Sequence, residues 1–108
     1  MAYNERLAQR IFEYLEGKEY IWKKMFGGVC FLFKGNMGFG ILGDNLIVRV
    51  GPENYNKMLS LPNTGVFNIT GRVMNGWVLV QPEGIDSDKA LKAWLKRGET
   101  YAYTLPAK

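Results

Sequence analysis

The sequence contains no histidine and a single cysteine, and these two scarcities exclude more chemistry than any motif proposes. Without imidazole there is no Ser-His or Cys-His nucleophile system. One thiol cannot close an internal disulfide, and it falls far short of the ligands a zinc site needs. That thiol, Cys30, lies in Val29-Cys30-Phe31-Leu32-Phe33, where apolar neighbours raise a thiol's pKa and leave it inert. It reads as core. Carboxylates are scattered, with no D-x-D or E-x-x-D cluster to gather calcium or magnesium. The expectation is no catalytic residue, no metal and no cofactor. Long apolar runs are also missing. Nothing approaches the roughly 18–20 consecutive apolar residues of a transmembrane helix, and the opening Met1-Ala2-Tyr3-Asn4-Glu5-Arg6 has no basic stretch followed by an apolar one. With the lone cysteine, this predicts a cytoplasmic protein with no membrane contact.

What is present is an ordinary globular composition: 47% hydrophobic, 22% charged and 14% aromatic over 108 residues, enough for one domain that buries roughly two-thirds of its unfolded surface. No repeat or low-complexity stretch divides the chain, so residues 1–108 are taken as a single domain. The net charge of +4 permits contact with phosphates without requiring it.

Asn4 is a good N-cap for a helix to about Glu16, with Leu7, Ile11 and Leu15 on one stripe and Gly17 past its end. From Tyr20 the period changes to that of strands. Segments near 21–26, 29–34, 37–42 and 46–50 are separated by Gly27-Gly28, Gly35-Asn36 and Gly43-Asp44-Asn45, connections short enough to force an antiparallel meander. Pro52 suits the first turn of a short helix ending near Leu59. Two further strands, near 66–70 and 74–81, precede a helix capped by Asp86 or Ser87 and running to about Thr104. Leu91, Trp94, Leu95, Tyr101 and Ala102 share one face of that helix with Gly98, which permits close approach to the sheet. The fold class is α+β: a two-layer sandwich of a mostly antiparallel five- or six-stranded sheet and about three helices.

Gly38-Phe39-Gly40-Ile41-Leu42-Gly43 matches the dinucleotide fingerprint in letters. That chemistry needs a helix opening after the glycines; here a turn and a strand follow, so the match is coincidental. If alternation holds, Gly38 and Gly40 face one way and Met37, Phe39 and Ile41 the other, with an aromatic or helix of this chain filling the space over the glycines. Alternation also separates Trp22, Phe26, Cys30, Leu32, Ile47, Val78 and Val80 from Ile21, Met25, Phe31, Phe33, Val48, Trp77 and Leu79. Both faces then carry large apolar groups, and a face left partly uncovered suggests a partner, most simply a second copy.

Two basic features remain. Lys89, Lys92 and Lys96 form a stripe on the last helix with Arg97 beside it, the usual look of a solvated face. Lys23, Lys24, Arg49 and Arg72 sit in or beside strands near Trp22, Phe26 and Trp77. Such interleaving serves single-stranded nucleic acid by stacking and charge, or it is cross-strand pairing and lysine stems on apolar surface.

Lys23-Lys24-Met25-Phe26-Gly27-Gly28, Gly35-Asn36-Met37, Asp44 to Val50, Thr70-Gly71-Arg72-Val73-Met74-Asn75-Gly76-Trp77-Val78-Leu79-Val80 and Leu105-Pro106 together resemble the TfoX N-terminal domain family, over nearly the whole sequence. The resemblance implies a two-layer α/β fold of the secretion-chaperone type. It also implies a regulatory association, since longer members are regulators of natural competence; this sequence looks like their first domain standing alone. It supplies no catalytic residues. Lys24, Gly27, Arg49, Arg72 and Trp77 occupy motif positions and, with Lys23, are the binding candidates. The function expected is a non-enzymatic regulatory or protein-interaction module, pairing with itself and with a protein partner; the alternative is a weak nucleic-acid binder.

Overall fold

A computed structural model describes residues 3–25, 27–69 and 71–108; Phe26 and Thr70, both part of the sequence motifs above, lie outside them. The helix α1 (Glu5–Tyr14) starts where its cap dictates: Asn4 accepts from the amide of Leu7 at 3.0 Å. The same asparagine holds the helix to the sheet, its amide nitrogen donating to the Gly43 carbonyl at 2.8 Å and its side chain to Asp44 at 3.1 Å. Four strands follow as a meander, β1 (Ile21–Met25), β2 (Gly28–Phe33), β3 (Asn36–Leu42) and β4 (Asn45–Arg49). After the short helix α2 (Tyr55–Leu59) come β5 (Thr64–Ile69) and β6 (Arg72–Val80), a 3-10 turn at Pro82–Gly84, and α3 (Asp88–Tyr103), capped by Ser87.

The six strands form one antiparallel sheet in the order β1-β2-β3-β4-β6-β5. The expected α+β sandwich is therefore present, with six strands and three α-helices among the described residues. Among the described residues the strands leave sequential order at one place only. From β4 it passes through α2 to the outer strand β5, and β6 returns to close the gap.

The β2–β3 turn differs in detail from expectation. Lys34 and Gly35 take the positive φ values, 52° and 85°, as a two-residue hairpin between paired Phe33 and Asn36 requires. Asn36 instead belongs to the strand, buried, donating to the Pro106 carbonyl at 2.8 Å. The amide of Lys108 reaches the Lys34 carbonyl at 2.9 Å, so the residues after α3 are tied to this turn.

All three helices contribute to one core, on one face of the sheet. Leu7 and Ile11 from α1, Leu15 at its C-cap, Met58 from α2, and Leu91, Trp94, Leu95 and Ala102 from α3 meet Phe31, Phe33, Phe39, Ile41, Val48, Val78 and Val80. The phenylalanines touch in a chain, Phe31 to Phe39 at 5.4 Å and Phe39 to Phe33 at 5.5 Å between centroids, distances that favour tilted aromatic pairs. On the other face Ile47, Phe67 and Trp77 form a smaller cluster built from sheet residues, edged by Met37, Leu42, Met74 and Leu79. Gly76, at φ +89°, and a register shift between Val66 and Asn68 kink the β5–β6 hairpin, raising its local twist, and the Phe67 ring meets that of Trp77 at a tilt, 6.0 Å between centroids.

The grouping of faces needs correction. Alternation holds within β4 and the inner part of β6, but pairing decides which alternate set joins which. Val48 stands opposite Val78, and Ile47 opposite Leu79, so Val78 and Val80 join Phe31 and Phe33, while Trp77 and Leu79 join Ile47. Trp22 is paired with Phe31 and meets Phe12 of α1 edge-on at 5.8 Å, which puts it on the helix side. Within β3 the alternation itself breaks. The register shifts between Phe31 and Leu32, which oppose Phe39 and Met37, so Gly38 is the extra residue and Met37 turns to the face opposite Phe39.

Gly38 is where the helix comes down. A side chain there would meet the Phe33 ring at 2.9 Å and the Gly98 carbonyl at 3.0 Å, and one on Gly98 would strike the Gly38 carbonyl. The space over the glycine is thus filled by an aromatic and a helix of the same chain. Gly98→Ala gains up to ~1 kcal/mol of helical propensity but drives a methyl into β3, and overpacking costs typically ~1–3 kcal/mol. The expected outcome is a melting temperature several degrees lower; an unchanged or raised value would remove this contact as the determinant of helix–sheet spacing.

Candidate functional site

The six candidate residues do not assemble into one site. Lys23 and Lys24 are exposed on β1, an edge strand. Gly27 follows them with φ +75° in the β1–β2 turn, a conformation that explains a glycine by itself. Arg72 is exposed at the tip of the β5–β6 hairpin, with β2, β3 and β4 between it and β1. Only Arg49 and Trp77 come together. They are cross-strand partners, and the Arg49 guanidinium lies 5.6 Å from the Trp77 ring and 5.6 Å from that of Tyr101 on α3. Cation–π contacts of this kind are worth ~0.5–1 kcal/mol each when partly exposed. Arg49 therefore joins the second cluster to the last helix, a structural duty that needs no ligand.

The β1 edge has a different character. Its partner is β2 on one side, and no described strand pairs with the other. Ile21 and Trp22 are 58% and 45% exposed. An unpaired edge is a template for another strand, and lysines on it are the common means of blunting such pairing. Here two lysines stand beside two large apolar side chains, so the edge is guarded but not closed. Sequence reasoning found the lysines through their aromatic neighbours; it could not show that this segment would be the sheet's rim.

A second feature was missed. The loop after β4, α2 and α3 enclose a cleft of about 470 Å³. Lys96 and Arg97 line it, but its other residues come from elements distant in sequence. The helix stripe Lys89, Lys92 and Lys96 is exposed, whereas Arg97 is half-buried with its guanidinium 4.5 Å from the Trp94 ring.

Two side chains have clearly displaced pKa values, both upward. Burial lifts the Cys30 thiol to about 11. Burial, then the hydrogen bond and charge of Glu99, lift the Tyr14 hydroxyl, which donates to Glu99 at 2.8 Å while Lys18 pairs with the same carboxylate at 3.3 Å. Raised values hold both groups protonated at neutral pH, the opposite of what a nucleophile or base requires. Among the described residues no three Cys, Asp or Glu side chains gather as a metal site would require. The glycines of the fingerprint lie within β3 and its turn, followed by β4, so no helix opens there to hold a pyrophosphate.

The family model of the TfoX N-terminal domain matches residues 14–102. The chain belongs to this family. The match runs from the end of α1 almost to the end of α3 and covers every strand, so the TfoX N-terminal domain here is the sheet with its clamping helix. Searches of curated proteins and of solved structures returned no significant match. No described helix of this TfoX N-terminal domain is long and apolar enough to cross a membrane.

Two outcomes check the chemistry. Cys30, 1% exposed, is expected to resist a thiol-reactive disulfide reagent in the native protein at pH 8 and to react once the protein is unfolded; stoichiometric native labelling within minutes would contradict it. Tyr14→Phe is expected to cost about 1 kcal/mol at neutral pH, a hydrogen bond to a charged but partly exposed acceptor. Because the folded-state pKa is the raised one, the benefit is complete below pH 10 and is lost as pH rises past it. Denaturation midpoints of wild type and variant should therefore converge in alkali. Parallel midpoints would show that the hydroxyl is not held protonated.

Proposed function

We propose that this TfoX N-terminal domain is a non-enzymatic, cytoplasmic regulatory module that works by association, and that it pairs first with a second copy of itself along β1. One observation carries the reading: β1 is an open edge bearing exposed Ile21 and Trp22. The absence of imidazole and the raised Cys30 and Tyr14 pKa values support binding over turnover. The dispersal of Lys23, Lys24 and Arg72 over opposite sides of the sheet disfavours a continuous nucleic-acid track.

The order of residues selects a register. In a two-fold antiparallel pairing the central residue faces its own copy, and opposed residues share a face. Centring on Lys23 would set like charges against each other. Centring on Ile21 sets Ile21 against Ile21, Tyr20 against Trp22, and Glu19 against Lys23, twice over; Lys18, which it brings opposite Lys24, is already paired with Glu99. Opposite-charge and aromatic cross-strand pairs each contribute ~0.2–1 kcal/mol, so this register is the favoured one. A symmetric dimer then presents two copies of every other surface to a protein partner.

Light scattering coupled to size-exclusion chromatography tests it. At tens of micromolar the wild type is expected as a dimer, and Ile21→Lys as a monomer of unchanged melting temperature. Glu19→Lys and Lys23→Glu alone should weaken the dimer and together restore it. A monomeric wild type, or a dimer indifferent to all three changes, would remove the reading.

A further inference from the structure

From the cleft between α2 and α3 we infer a second binding site, one for a small amphipathic anion: a free carboxylate carrying an apolar body. Its apolar lining is Val50, Met58, Tyr101 and, at the exposed rim, Ala93, and its polar lining includes Lys96, Arg97 and Thr100. No acidic residue lines it. The ion pairs among the described residues, Arg10 with Asp88 and Lys18 with Glu99, both join α1 or its end to α3. Lys96 and Arg97 thus bring two positive charges to an apolar cleft with, among the described residues, no carboxylate within ion-pair distance. Neighbouring positions of one helix present them about 100° apart around its axis, so a head group between them meets both while its tail lies over Met58 and Val50.

Arg97 is also positioned in advance. Its guanidinium rests on the Trp94 ring while the same side chain lines the cleft, and a restrained planar fork loses less freedom on binding a carboxylate than a mobile cation does. The dimensions select a small molecule over a partner helix. The cleft's volume of about 470 Å³ falls within the range of roughly 300–1,000 Å³ usual for small-ligand sites. The opposing wall, α2, has five residues, about 7.5 Å at 1.5 Å per residue, too short to seat two turns of an amphipathic helix. Tyr101 sets the depth. A side chain on Gly51 would collide with its ring, so the glycine lets the tyrosine lie back against the loop instead of filling the space. The site is independent of the β1 edge and is occupied by monomer or dimer alike.

Titration of the full, nitrogen-15-labelled chain with octanoate below its micelle concentration tests the inference by amide shifts. Octanoate should move the amides of Met58, Ala93 and Thr100 saturably; acetate and octyltrimethylammonium should not. Lys96→Glu, at an exposed position, is expected to weaken octanoate about tenfold, the loss of one charge-assisted contact. Ala93→Trp, also at an exposed position, should fill the cleft and abolish the shifts with the melting temperature retained. Equal shifts from the cationic amphiphile, shifts scattered over the surface, or undiminished binding by Ala93→Trp would each overturn the proposal. So would an acidic peptide occupying the cleft where octanoate does not.

Discussion

Where α3 crosses β3, Gly98 and Gly38 bring backbone to backbone, and the main core takes its dimensions from that approach. At this spacing Trp94, Leu95 and Ala102 reach the sheet residues they cover, and the Phe33 ring closes over Gly38. The same seat fixes Tyr101, which has Gly51 on one side and the Arg49 guanidinium near its ring. Arg49 carries the constraint through to Trp77 and the cluster on the opposite face. A pair of residues without side chains thus sets the position of an arginine that joins the second cluster to the last helix. Interiors packed at crystal-like density transmit small shifts in this way.

Much of the architecture could be read from local chemistry. Asn4 and Ser87 cap the helices they were expected to cap, glycines mark the meander's turns, and apolar spacing identifies the buried sides of α1 and α3. What escaped was whatever depends on pairing between strands. Parity along one strand says nothing about parity on its neighbour, so Ile47 was grouped with Val78 until the ladder set it beside Leu79. The extra residue in β3 inverted Met37 for the same reason: a bulge is a property of two strands, and one strand's sequence does not display it.

The candidate residues show the same division. Lys23, Lys24, Arg49, Arg72 and Trp77 were recognisable by type, and as structural positions Gly27, Arg49 and Trp77 have clear work to do. Their distance from one another became legible only with the strand order, because β5 and β6 exchange places at the far edge. The cleft shows the converse. Lys96 and Arg97 were visible as a helix stripe, yet Val50 and Met58 come from elements some forty positions earlier, and no local pattern links them. The chain's membership of the TfoX N-terminal family leaves ligand and partner to be sought on these surfaces. The proposed self-pairing edge lies on β1 and the proposed anion cleft beside α2, which packs on β5 and β6, so neither obstructs the other.

The core's two principal helices flank the sheet in sequence, one before the meander and one after β6, and they touch: Tyr14 reaches Glu99, and Arg10 reaches Asp88 at 3.3 Å. During synthesis on the ribosome, the meander can form as soon as it emerges, since its contacts are short-range. Phe33 and Phe39, which α3 covers, then stay wet until that helix, roughly forty residues further along, arrives. A nascent chain of this design therefore passes through an interval in which a finished sheet displays an oily surface, and that interval is when it most needs a chaperone.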